Sequence, residues 1–135
     1  MNKEKAIAHI KEVLEFSKEL KSNQFDFSTY VTEAHNECGT VCCMLGWYPK
    51  WYPNDFKWKK DGWQNSGWAI NITYDAHRFL EYTGFTEDLS IILYEPKYRK
   101  ECTKYYKRFP PLKQPTLKRV RNRWKAVLKM LENES

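Results

Sequence analysis

The sequence predicts a mainly α fold: a compact, single-domain helical arrangement with an irregular, aromatic-rich loop and at most one short β element. Three observations carry that expectation. Apolar residues recur at three- and four-residue spacing near both ends of the chain, and between residues 49 and 67 proline, glycine and aromatic residues replace that period. At 135 residues and 41% hydrophobic content, the chain can build one core but not two comfortable ones. The domain is therefore taken as 1–135, with the basic segment 97–131 part of it.

Near the N-terminus, Ala6, Ile7, Ile10, Val13, Leu14, Ser17 and Leu20 lie on one helical face with Lys and Glu between them, which predicts a helix over 3–21. Its stripe needs a partner. Ser22-Asn23 stops it, and FDFSTY (25–30) reads as a connector anchored by its three rings. In the stretch HNECGTVCCMLGWY (35–48), Gly39 permits a turn and Thr40 is a suitable N-cap. Val41, Met44, Leu45 and Tyr48 then form one face of a short helix that Gly46 or Pro49 ends.

Residues 49–67 (PKWYPNDFKWKKDGWQNSG) read as a long irregular loop pinned by tryptophans. Trp68, Ile70 and Ile72 alternate with smaller or polar residues, so one short strand is expected there, although nothing in the sequence offers it a partner. Thr73 caps a helix through about Tyr82, built on Ala76, Phe79 and Leu80, and Gly84 is its stop. Thr86 opens the next, with Glu87 and Asp88 in its first turn and Leu89, Ile92 and Leu93 facing inward, before Pro96 closes it. Residues 97–114 are basic and aromatic, end in Pro110-Pro111, and read as a surface excursion. From Pro115 to about Leu131, Leu117, Val120, Trp124, Val127, Leu128 and Leu131 share a face. Lys118, Arg119, Arg121, Arg123, Lys125 and Lys129 occupy the rest.

No apolar run approaches the roughly 20 residues that a membrane span needs. The opening MNKEKAIAHIKEVLEF is charged and amphipathic, unlike a signal peptide. A soluble, cytoplasmic protein with reduced thiols is the resulting expectation. Net charge is +6, unevenly spread: from Lys97 to Lys125 there are twelve Lys or Arg against a single acid, Glu101, so that window carries +11 and the rest of the chain −5.

The order FDFSTY (25–30), CGTVCCMLGW (38–47), AHRFLEYTG followed by TEDL (76–89), and a last helix entered through Pro115-Thr116 resembles a family of small uncharacterised proteins common in tailed-phage, prophage and bacterial genomes. That family's pattern runs F-D-M-S-T-W, then C-G-T-x-x-C-x-x-G-W or G-H, an alanine-rich helix ending at a leucine-glycine turn, and Thr-Pro before a final helix. Cys38, Gly39, Thr40, Cys43, Gly46 and Trp47 match it, Cys42 stands where alanine is usual, Pro-Thr replaces Thr-Pro, and the loop 49–67 is longer. The resemblance implies a mobile-element origin, a host-cell location and a mostly α fold. It implies no reaction.

Three chemistries fit the cysteine stretch. His35 and Cys38 with Cys42 or Cys43, completed by Cys102, have ligand types suited to zinc, but a second well-spaced pair is missing and vicinal Cys42 and Cys43 diverge by about 100° on a helix. Cys43 or Cys38 at a helix N-terminus, with His35 or His77 as base, would suit a thiol nucleophile, without the flanking signature of a thiol hydrolase. As small buried hydrophobes the cysteines simply pack. Packing is the preferred reading, so no catalytic residue, metal or cofactor is assigned.

The lopsided charge points instead to an anionic partner, since like charges repel one another unless an anion is expected. Trp47 and Trp51 would stack on a base, while Arg119 and Arg123, four residues apart, would grip a phosphate. The resulting expectation is a non-enzymatic phage or prophage accessory protein that sequesters an anionic host target, foremost a nucleotide-type immune signal, as a counter-defence factor. A small nucleic-acid-binding regulator is the alternative, followed by an inhibitor of an acidic host protein and a cysteine-dependent enzyme. No membrane partner is expected, and self-association is left open.

Overall fold

The structure, a computed structural model, describes residues 1–21, 47–60, 68–72, 76–95 and 98–134. Helix α1 spans Lys3–Ser17, and the side chain of Asn2 caps it by accepting from the Lys5 amide at 3.1 Å. Its buried residues are Ala6, His9, Ile10, Val13, Leu14 and Ser17, the stripe that helical spacing dictates. Helix α5 spans Leu117–Asn133, and the Thr116 side chain accepts from the Arg119 amide as its N-cap. Val120, Trp124, Val127, Met130 and Leu131 turn inward.

These two long helices supply each other's missing face. Lys11 meets the Glu132 carboxylate at 3.4 Å at one end, and Arg121 bonds Ser17 at the other, so α1 and α5 run antiparallel. The last turn of α1 therefore lies beside the first turns of α5.

Helices α3 (Ala76–Thr83) and α4 (Glu87–Tyr94) are separated by Gly84, whose φ of 81° is the left-handed conformation that ends a helix. The Gly84 amide donates to the Leu80 carbonyl at 2.9 Å, and its own carbonyl accepts from the Asn2 amide at 3.2 Å. The start of α1 is thereby stitched to the α3–α4 corner. Thr86 caps α4 by accepting from the Leu89 amide, with Glu87 and Asp88 against the positive end of the helix.

The middle of the chain departs from its sequence reading in two places. Of the two stops offered for the helix opened at Thr40, Gly46 lies outside the described residues, and Pro49 sits in the first turn of α2 (Tyr48–Trp51), where its missing N–H would have had no partner anyway. Part of the expected loop is ordered as β1 (Phe56–Lys60), which pairs antiparallel with β2 (Trp68–Ile72) in the register Phe56↔Ile72 through Lys60↔Trp68. The strand expected at 68–72 thus has its partner. FKWKK conceals that partner because only two apolar residues alternate with lysine, too short a pattern to tell from a loop.

The mainly α class stands, with this hairpin as the β content among the described residues. One buried cluster joins α1, α4 and α5 to Trp47, Tyr48, Trp51, Phe56, Phe79, Phe85 and Phe109. The FDFSTY connector, the cysteine stretch up to residue 46, the Thr73 cap and the Pro96 stop lie outside the described residues.

Candidate anion-binding surface

Residues 98–116 leave α4 and return to α5 without regular structure, so side chains must hold them. Two anchors do so. At Asp88, the Thr103 hydroxyl donates to the backbone carbonyl at 3.2 Å and the Lys104 amide to the carboxylate at 3.1 Å. At Arg123, Nη1 donates to the Ile92 carbonyl at 3.1 Å and to the Tyr98 hydroxyl at 3.0 Å, while Nη2 donates to the Pro110 carbonyl. The Tyr98 hydroxyl in turn donates to the Phe109 carbonyl, and the Arg123 guanidinium lies 5.4 Å from the Phe109 ring. Burial raises the Tyr98 phenol pKa, and the neighbouring Arg123 charge opposes that rise.

With Thr103 and Phe109 buried and Tyr98 half-buried, this segment sends its cations out. Arg99, Lys100, Lys104, Lys107, Arg108 and Lys113 are exposed, as are Lys118, Arg119, Lys125 and Lys129 on α5. The ion pairs Lys11–Glu132, Lys18–Glu15 and Lys50–Glu19 involve none of these ten cations. Their charge is not neutralised by the described carboxylates.

The four residues singled out from the sequence do not form one surface. Trp47 is 1% exposed and Trp51 6%. Phe16 stacks on Trp51 at 5.6 Å with the planes 6° apart, Trp47 lies against Trp51 at 6.3 Å, and Lys50 sits over the Trp47 ring. The ring faces meant for a base are thus turned into the core, because the chain needs them to bury the end of α1. Arg123, 8% exposed, spends its guanidinium on backbone carbonyls. Arg119 is exposed, and its Nη1 reaches back to Gln114, 3.0 Å from the side-chain Oε1. Four-residue spacing put Arg119 and Arg123 on one side of α5, but burial separates their partners.

A concave site that the sequence reading missed lies where the end of α1 meets the start of α5. It is a groove of about 310 Å³ lined by Ser17, Lys18, Lys118, Arg121, Asn122 and Lys125 together with Leu20 and Leu117. The Arg121 guanidinium is held by two bonds, from Nε to the Ser17 hydroxyl at 2.8 Å and from Nη2 to the Leu14 carbonyl at 3.3 Å. The i, i+3, i+7 spacing of Lys118, Arg121 and Lys125 was a legible signal for a shared face; Lys18, a hundred residues away in sequence, was not. A larger cavity of about 510 Å³, beside Asn2 and Gly84, has Lys5 and Glu81 among its walls and so no single sign of charge.

The core holds one buried titratable cluster. His9 Nε2 and the Tyr48 hydroxyl are hydrogen-bonded at 2.7 Å, and the Tyr48 and Tyr94 hydroxyls are joined in turn. Rings of Tyr52, Tyr82 and Phe85 complete the cage around the imidazole. Burial, reinforced by the charge of Lys5, lowers the His9 pKa to about 4, so the ring is neutral at pH 7 and Nε2 can accept from Tyr48. Burial also raises the Tyr48 phenol well above its usual range. Tyr52 is pushed up by burial and by the Glu12 carboxylate beside it, although its hydroxyl makes no hydrogen bond of good geometry. With His9 7% exposed, the cluster ties α1 to α2 and α4 and offers no open base to a substrate.

Cys102 is exposed with a free thiol. Its partners in the zinc reading, His35, Cys38, Cys42 and Cys43, lie outside the described residues, as does the His77 side chain. Among the described residues, no helix is long and apolar enough to cross a membrane. No model of a known protein family, no curated protein and no solved structure matches the chain.

Proposed function

We propose that the protein is a non-enzymatic binder of a phosphate-bearing polyanion, engaged through the exposed cations of residues 99–113 and of α5. The observation that carries this reading is the set of ten outward cations without a carboxylate partner among the described residues. Such a surface repels itself, and the repulsion is relieved when an anion arrives and releases its counterions.

An extended target is favoured over a lone nucleotide. From Lys118 to Lys129 the axis of α5 advances about 16 Å, roughly the rise of five phosphates along one strand. The nucleotide-signal reading relied on Trp47 and Trp51 for base stacking, and with both buried the phosphate contacts are what the surface still supplies. The resemblance of the FDFSTY and CGTVCCMLGW segments to small phage and prophage proteins supports a host-cell target, whose capture would remove it from use.

The test is fluorescence anisotropy of a labelled single-stranded oligonucleotide titrated with the full chain across a series of salt concentrations. Affinity should fall linearly on a log–log plot. No binding at low salt, or binding indifferent to salt, would overturn the reading.

A further inference from the structure

We infer that the groove between the last turn of α1 and the first turns of α5 is a discrete site for a multiply charged phosphate group, a phosphomonoester or pyrophosphate, distinct in kind from the diester contacts of the open basic surface. As the end of a bound strand, that ligand rests on the reading above; as free polyphosphate, it does not.

Charge density supports this assignment. Four cations line the groove, Lys18, Lys118, Arg121 and Lys125. Lys18 is paired with Glu15 at 2.8 Å, which leaves an excess of three among the described residues of the groove. A backbone diester brings one negative charge, whereas a terminal phosphomonoester brings nearly two and pyrophosphate more. The α1 C-terminus adds about half a negative charge at the groove wall, too little to offset three cations. Arg121 meets part of it through the Leu14 carbonyl.

The grip is built before any ligand arrives. Arg121 uses Nε and one Nη2 hydrogen on α1, which fixes the plane of its guanidinium and leaves its remaining N–H groups for an anion. Less rotamer freedom is then lost on binding. Among the described residues no aromatic ring lines the groove, and what those residues offer a ligand is phosphate contact. Asn122 adds an uncharged side-chain amide to the lining.

The test compares one short single-stranded oligonucleotide carrying a 5′-phosphate with the same strand carrying a 5′-hydroxyl, and titrates pyrophosphate separately by calorimetry. Wild type should prefer the phosphorylated strand by about tenfold, the equivalent of one charge-assisted contact. The double variant Lys118→Gln, Lys125→Gln, altering exposed residues only, should lose both that preference and pyrophosphate binding. The control Lys107→Gln, Arg108→Gln should weaken both strands equally and leave the preference intact. If neither strand binds, the polyanion reading fails, and pyrophosphate alone decides the groove: binding that the Lys118, Lys125 variant loses supports it, and no binding overturns it. Equal affinity of wild type for the two strands with no uptake of pyrophosphate, or a preference that survives in the double variant, would also overturn it.

Discussion

Arg123 donates to the carbonyl of Ile92 at 3.1 Å, so a cation from the most basic stretch of the chain serves as an internal clamp between α5 and α4. The same guanidinium holds Tyr98 and Pro110, and with them two points of the irregular 98–116 segment. Replacing it leaves the buried Ile92 carbonyl without that donor, at about 1–3 kcal/mol, and also removes the part-buried bonds to Tyr98 and Pro110. Arg123→Met should therefore lower stability by on the order of 3 kcal/mol in urea denaturation. Arg123→Lys should not restore it, because one ammonium cannot span the fork. Arg119→Gln, at an exposed site, should change stability by less than about 0.5 kcal/mol; a comparable loss in both variants would contradict the clamp.

The buried imidazole of His9 makes stability depend on acid. Its folded pKa of about 4 lies below the unfolded value of 6.5, so between those values the unfolded chain binds more protons than the folded one. Stability is complete above pH 6.5 and falls as the pH drops toward 4, by up to roughly 3 kcal/mol from this group. Carboxylates add their own slope, so the useful quantity is a difference between proteins. In His9→Gln the loss between pH 7 and pH 4.5 should be smaller than in wild type, and parallel curves would exclude a neutral buried His9.

Gly84 is a backbone requirement with two causes. Its φ of 81° disfavours any side chain, and a Cβ placed there would lie 2.7 Å from the Ala6 amide nitrogen and 2.8 Å from the Asn2 carbonyl oxygen. Backbone atoms cannot swing aside as a flexible side chain can. Gly84→Ala is expected to cost about 2–3 kcal/mol, more than the roughly 1 kcal/mol of an unfavourable φ alone. Thermal melts of the single variant check this, and a neutral result would mean that α1 can slide away from the α3–α4 corner.

Exposed cations should act through counterion release and leave the fold alone. On a single strand, each of Lys100→Gln, Lys107→Gln and Lys129→Gln should reduce the slope of log affinity against log salt by about 0.7 where that lysine meets a phosphate. Their urea midpoints should match wild type. Lost affinity with an unchanged slope would indicate contacts other than ionic ones.

Helices α1, α4 and α5 were legible in the chain because their signals are local. Apolar period, and at α4 Thr86 with the acids Glu87 and Asp88 behind it, act within a turn or two of the residues that display them, as does the left-handed stop that Gly84 gives α3; that Thr116 rather than Pro115 begins α5 as its cap came from the structure. The hairpin was half legible, since Trp68–Ile72 alternates visibly while its partner Phe56–Lys60 reads as lysine-rich loop. Pro49 misled because proline both ends one helix and begins another, and only the surrounding backbone distinguishes the two cases.

What the sequence alone determined is the inventory: amphipathic helices, a ring-rich middle, and an excess of positive charge between residues 97 and 125. Tertiary structure decided how that inventory is used. It turned Trp47 and Trp51 inward, made Arg123 a clamp, left ten neighbouring cations in solvent, and brought Lys18 beside Arg121. The physical reason is that burial and long-range pairing are properties of packed surfaces, so identical residue types acquire opposite roles according to which helix lies across from them.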